Sequence, residues 1–217
     1  KTMQIAQQLY EGIDVKGIGT RGLITYLRTD SVRISSAAKE AASEFIANKF
    51  GKEYCSNNSF SNKNKDIQDA HEAIRPTDIN LEPEAIRDSL TSDQFKLYTL
   101  VWNRFVASQM AAAEFDTITV IIDNNGYEFR SSGSRLVFDG WRRVYPIASE
   151  KDSYVPELKK GDELKCIEIV KEQKFTQPPA RYTEAGLVKE MEEKNIGRPS
   201  TYSAIITTLT GRRYVTR

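Results

Sequence analysis

The 217-residue chain is 28% charged and 39% hydrophobic. That excludes a disordered tail and a membrane protein, and allows one large domain or two modest ones. Thirty-one basic against 30 acidic residues give a net charge of +1, which excludes the strongly basic balance of a stand-alone DNA-binding module. Cys55 and Cys166 form no CxxC pair and His71 is the only histidine, so a zinc site, a disulfide framework and a His-based metal site are all disfavoured.

In chain order, residues 2–10 read as a short helix with Met3, Ile5, Ala6 and Leu9 on its apolar side. Four glycines between Gly12 and Gly22 read as a loop, followed by the short β-rich segment Leu23–Leu27. A helix capped near Ser35 or Ser36 should bury Ala38, Ala41, Ala42, Phe45, Ile46 and Phe50. The polar run 56–65 reads as a loop, and 66–75 as a short helix stopped by Pro76. Pro83 suits the first turn of a helix, and Thr91 with Gln94 predicts a capping box. The helix it opens should bury Phe95, Tyr98, Trp102, Phe105, Val106 and Met110.

After Phe115 the pattern turns to strands at 117–122, 127–130 and 135–138 around an Asn125-Gly126 turn, with a further strand at 162–170. Helices return at 183–194 and after Pro199-Ser200-Thr201. The fold class is therefore α+β and multidomain: a helical domain over 1–115, a small antiparallel β unit over 116–175, and a helical segment over 176–217. Charge follows this division. Residues 82–116 carry six acids against three bases, a net of −3, and residues 171–217 nine bases against five acids, a net of +4. An anionic partner would meet the C-terminal end. No apolar run approaches the roughly 18 residues that span a bilayer, and a chain opening at Lys1-Thr2 reads as a piece of something longer.

Three constellations bear on chemistry. In Gly22-Leu23-Ile24-Thr25-Tyr26-Leu27-Arg28-Thr29-Asp30-Ser31, an extended backbone puts Tyr26 and Arg28 on one face. A phenol is a weak nucleophile at neutral pH, and a guanidinium beside it can clamp a phosphodiester and stabilise charge developing on its oxygens. Taken alone the segment reads first as a strand with a half-buried tyrosine and a surface arginine. In Gln68-Asp69-Ala70-His71-Glu72-Ala73-Ile74-Arg75-Pro76, a helix would align His71 and Arg75 as two phosphate donors, or leave a satisfied surface histidine. In 177–185 and 197–202, an arginine precedes a Thr- or Ser-bearing helix start, a phosphate-binding arrangement that is also an ordinary cap.

The ordered set GLITYLRTDS, QDAHEAIRPTD, FDGWRRVYP, PPARYTEAGLVKEMEEKNIGRPSTY and RRYV resembles the central part of bacterial type IA DNA topoisomerases over nearly the whole chain. The topoisomerase I branch fits best, because topoisomerase III typically has a proline where Leu27 stands. The resemblance implies an isomerase that cleaves one strand through a 5′-phosphotyrosyl bond, passes another strand, reseals without ATP, and relaxes negatively supercoiled DNA. It makes Tyr26 the nucleophile, Arg28 the phosphate clamp and His71 an active-site donor. Arg181, Thr183, Lys194, Arg198 and Ser200 would hold single-stranded DNA, mainly by its backbone.

The same resemblance places Mg²⁺ in an acidic Toprim domain of the same polypeptide, outside this chain. Glu190, Glu192 and Glu193 read as surface charge, no D-x-D element sits in a suitable strand–loop context, and no zinc module is present. The segment 14–20 is longer than the tight turn common before the tyrosine motif. The expected fragment is inactive alone, with the β unit forming part of the family's arch and the whole protein working in the cytoplasm at the bacterial nucleoid. Among competing classes, a non-catalytic single-stranded DNA-binding module needs no nucleophile. Tyrosine recombinases and replication-initiator nucleases need more Arg and His positions than a single His71 provides.

Overall fold

The structure, a computed structural model, describes residues 1–60, 71–147 and 155–216. Helix α1 (Thr2–Glu11) buries Ala6 and Leu9 and ends at Gly12, whose φ of 137° few other residues adopt. The glycine-rich stretch after it is not an open loop. It folds into a hairpin of β1 (Ile13–Val15) and β2 (Gly19–Arg21), with Asp14 opposite Thr20. Three-residue strands are too short for any alternation to be read from sequence, so this element was hidden.

Helix α2 (Ser36–Lys49) begins at Ser35, whose hydroxyl accepts from the Ala38 amide at 3.4 Å. Its buried stripe is narrower than expected: Ala42 and Ile46 are fully buried, Phe45 is half-buried, and Ala41 faces solvent. Pro83 opens a 3₁₀ helix (Pro83–Ser89) rather than an α-helix. The capping box forms as expected, with the Thr91 hydroxyl accepting from the Gln94 amide and Gln94 returning a bond from the Thr91 amide. It opens α3 (Ser92–Ser108), which buries Tyr98, Trp102, Phe105 and Val106.

These elements share one apolar cluster with Leu9, Leu23, Ile24, Leu27, Ile46 and Ile79. Its two polar tips are satisfied: the Tyr98 hydroxyl donates to the Leu81 carbonyl at 2.7 Å, and the Trp102 indole to the Ile79 carbonyl at 2.9 Å. Burial, with Asp78 adding to it, pushes the Tyr98 phenol well above the ordinary tyrosine range.

The chain then leaves in a two-stranded ribbon, β3 (Glu114–Asn124) and β4 (Tyr127–Phe138). Asn125 and Gly126 turn it with φ of 54° and 84°, the geometry their dipeptide favours. The two expected pieces of β4 are one continuous strand. Where the ribbon ends, Gly140 adopts φ 47° against the Ala111 and Ala112 carbonyls, which a Cβ would overlap. The Trp141 amide donates to the Ala111 carbonyl at 2.9 Å, and the Tyr54 hydroxyl to the Asp139 carboxylate at 2.7 Å.

Residues 162–170 do not form the expected strand. Ile167 and Val170 are 94% and 77% exposed, and among the described residues no strand pairs with them. β-propensity needs a partner edge to become a ladder. Helices α4 (Glu184–Glu193) and α5 (Tyr202–Gly211) follow, with Met191 and Ile206 buried. The architecture is α+β. The chain divides into two compact units, Lys1–Thr117 with Gly133–Ser153, and Ile118–Ser132 with Tyr154–Arg217. Among the described residues no helix is long and apolar enough to cross a membrane.

Candidate active site

The segment that carries Tyr26 is held from both sides. Toward α1, the Leu23 amide donates to the Leu9 carbonyl at 2.7 Å. Gly22 lies so near that helix that a Cβ would sit 2.5 Å from the Tyr10 carbonyl oxygen. On the other side runs the 73–77 stretch. The Thr25 amide donates to the Arg75 carbonyl at 2.9 Å, and the Thr77 amide to the Leu23 carbonyl at 3.0 Å. The Thr25 hydroxyl donates to the Ala73 carbonyl and accepts from the Arg75 amide, at 2.9 and 3.0 Å. Leu23, Ile24 and Leu27 point into the core, so burial alternates around an exposed Tyr26 and an exposed Arg28.

Two rings from distant parts of the chain flank Tyr26. His71 lies 5.0 Å away, centroid to centroid, tilted by 34°. Tyr10 presents an edge at 5.5 Å and 69°. Tyr26 itself remains 37% exposed. Arg28 makes no hydrogen bond or ion pair with any other described residue, which leaves its guanidinium open to an anion. Downstream, the Thr29 hydroxyl accepts from the Ser31 amide and the Ser31 hydroxyl from the Arg33 amide, at 3.0 and 3.2 Å. These local turns lead the chain into the Ser35 cap.

The sequence places His71 and Arg75 on one helical face. Residues 71–75 are not helical, and the remainder of that expected helix lies outside the described residues. The Arg75 guanidinium binds the Glu72 carboxylate at 2.8 Å and the Pro76 carbonyl at 3.0 Å. The pair is half-buried and local, three residues apart. The extended backbone is selected by its bonds to Arg33, Thr25 and Leu23, which local helical spacing does not reveal.

The donor set at Tyr26 comprises two phenols, an imidazole and a guanidinium. It does not suit Mg²⁺, which takes oxygen ligands dominated by carboxylates and water. Among the described residues, no group of three or more His, Cys, Asp or Glu side chains is placed to hold a metal ion.

The C-terminal candidates belong to the second unit. Thr183 is the N-cap of α4, its hydroxyl accepting from the Gly186 amide at 3.0 Å. Arg181 and Tyr182 lie exposed just before it and line a cleft with Ile206, Thr210 and Tyr214. Lys194 pairs with Glu190 at 3.2 Å. The Arg198 amide donates to the Thr201 hydroxyl at 2.9 Å and its guanidinium to the Gly197 carbonyl at 2.8 Å. Ser200 is exposed, and Thr201 rather than Ser200 stands at the N-cap of α5.

Tyr10 is the neighbour that sequence reasoning missed. It lies in a separate helix at no fixed spacing from Tyr26, and the contacts of Leu9 with Leu23 and of Tyr10 with Gly22 bring the two together.

All of residues 1–217 match the DNA topoisomerase family. The chain belongs to the bacterial type IA DNA topoisomerases. Full-length topoisomerase I from Thermotoga maritima superposes with a TM-score of 0.83 and 40% sequence identity over 100% of this chain. The chain spans 35% of that enzyme's chain.

Proposed function

We propose that this chain supplies the nucleophile and part of the DNA path for transient cleavage of one DNA strand. The Tyr26 oxygen attacks a backbone phosphorus, forming a tyrosyl ester to the 5′ phosphate as the bond to the 3′ oxygen breaks. The phenol loses its proton and the departing 3′ oxygen gains one. Energy stays in the phosphotyrosyl ester, so resealing needs no ATP, and strand passage between the two steps relaxes negatively supercoiled DNA. Arg28 holds the non-bridging oxygens with its planar fork as charge develops on them. His71, against the Tyr26 ring, donates to the phosphate or its neighbour.

Arg181, Thr183, Lys194, Arg198 and Ser200 bind single-stranded DNA through its backbone, with the exposed Lys194 exchanging its half-buried Glu190 partner for phosphate. Mg²⁺ belongs to an acidic Toprim domain, since the donors here do not suit it, and no step above is routed through it. The setting is the cytoplasm, at the nucleoid.

The observation that carries this reading is the packing of the His71 ring on an exposed Tyr26, with Arg28 exposed two residues on and bonded to no other described residue. The test is covalent adduct formation on labelled single-stranded DNA by the chain completed with a Toprim domain. An adduct through a 5′ phosphate is expected with Mg²⁺, absent in Tyr26→Phe, and absent for the 217 residues alone. An adduct that survives Tyr26→Phe would overturn the assignment. Intact DNA binding without any adduct would make the chain a non-catalytic single-stranded DNA-binding module.

A further inference from the structure

We propose that Tyr10 is a positioning residue for Tyr26, an aromatic wall that restricts the nucleophile's side chain to one orientation. The proposal rests on the reading of Tyr26 as nucleophile. A tyrosine that is 37% exposed and free of neighbours would divide its time among staggered side-chain wells. In-line attack needs the oxygen held near one approach. Backbone anchoring on this segment is dense as far as Thr25 and resumes with the buried side chain of Leu27. Side-chain orientation at Tyr26 is therefore left to its ring neighbours.

Tyr10 is tied to the nucleophile's own segment through the end of α1, as His71 is through the 73–77 stretch. The adjoining Leu9 is completely buried and its carbonyl binds the Leu23 amide, while the Tyr10 carbonyl abuts Gly22. The Tyr10 ring thus keeps its distance to Tyr26 as long as α1 and this segment stay joined. The edge-on geometry, 69° at 5.5 Å, is one that aromatic pairs favour beyond simple burial. The Tyr10 hydroxyl bonds no described residue, so the ring is the working group. At 39% exposure, its removal leaves no sealed cavity, which separates this role from core packing.

Two measurements test the proposal. In the chain completed with a Toprim domain, single-turnover adduct formation at saturating single-stranded DNA should slow about three- to tenfold in Tyr10→Ala. DNA affinity should stay unchanged and Tyr10→Phe should restore the wild-type rate. Independently of activity, His71 is the only histidine, so its ring protons give one resolved NMR signature of the Tyr26 ring beside it. That signature should move in Tyr10→Ala in the same direction as in Tyr26→Leu, and hold still in Tyr10→Phe.

A wild-type rate in Tyr10→Ala, an equal loss in Tyr10→Phe, an unmoved His71 signal, or a loss confined to DNA affinity would each overturn the proposal. Adduct persisting in Tyr26→Phe would instead overturn the underlying reading of the nucleophile. The His71 resonance would still report on the ring contact.

Discussion

Around Tyr26 the chain is pinned on both flanks: Leu23, Ile24 and Leu27 enter a core shared with α1, α2 and α3, and hydrogen bonds tie the segment to Leu9, Ala73, Arg75 and Thr77. Around Arg181 to Ser200 the described structure is open. Met191 and Ile206 are buried between two short helices, and the side chains that would touch DNA sit on helix caps and turns. The contrast follows the chemistry each region would perform. A nucleophile loses rate steeply when displaced, so it needs a scaffold that over-determines its place. Backbone contacts to a single strand tolerate displacement, because phosphates are many and attraction to them is long-ranged.

The widest separation of the two regions should come from core deletions. Trp102→Ala removes a buried indole and its bond to Ile79, and should cost about 3–5 kcal/mol in calorimetric unfolding. Met191→Ala should cost less than about 2 kcal/mol, the low end of the range for an enclosed methionine. Equal costs would erase the distinction between a scaffolded and an open region.

Arg28→Lys sharpens the comparison at the site. The charge remains but the bidentate fork is lost, so cleavage by the completed protein should fall about 10- to 100-fold, the worth of one charge-assisted bond. An unimpaired Lys variant would show that Arg28 acts only as a distant charge.

Alkaline unfolding probes the core of the first unit through Tyr98. Its folded value is raised by burial and Asp78, so its contribution is complete below the unfolded value near pH ~10 and is lost as pH rises toward the folded one. The unfolded chain releases the proton there while the folded chain keeps it. Stability should decline above that pH by up to about 1.4 kcal/mol per unit from this group. Tyr98→Phe should flatten the decline, and an identical profile in both proteins would refute it.

The smallest effect is local. Thr183→Ala removes the α4 cap and should cost about 1 kcal/mol, read as faster amide exchange at Gly186 and Leu187 with little change in the melting of the first unit.

What the sequence determined by itself is what neighbouring residues decide. The Ser35 cap, the Thr91–Gln94 box, the Asn125-Gly126 turn and the Thr183 cap are hydrogen-bonding choices made within a few residues, so residue type and spacing announce them. The shared exposure of Tyr26 and Arg28 around a buried Leu27 was legible for the same reason, the two being two apart on one segment. Tertiary structure alone decided the rest. It made 71–75 extended through bonds to Arg33 and Thr25, turned Arg75 onto Glu72, closed the β1–β2 hairpin, and left 162–170 without a ladder. It also set Tyr10 and His71 against one phenol. Such contacts join residues with no fixed separation in the chain, and their free energy comes from burial and pairing that exist only once distant segments meet.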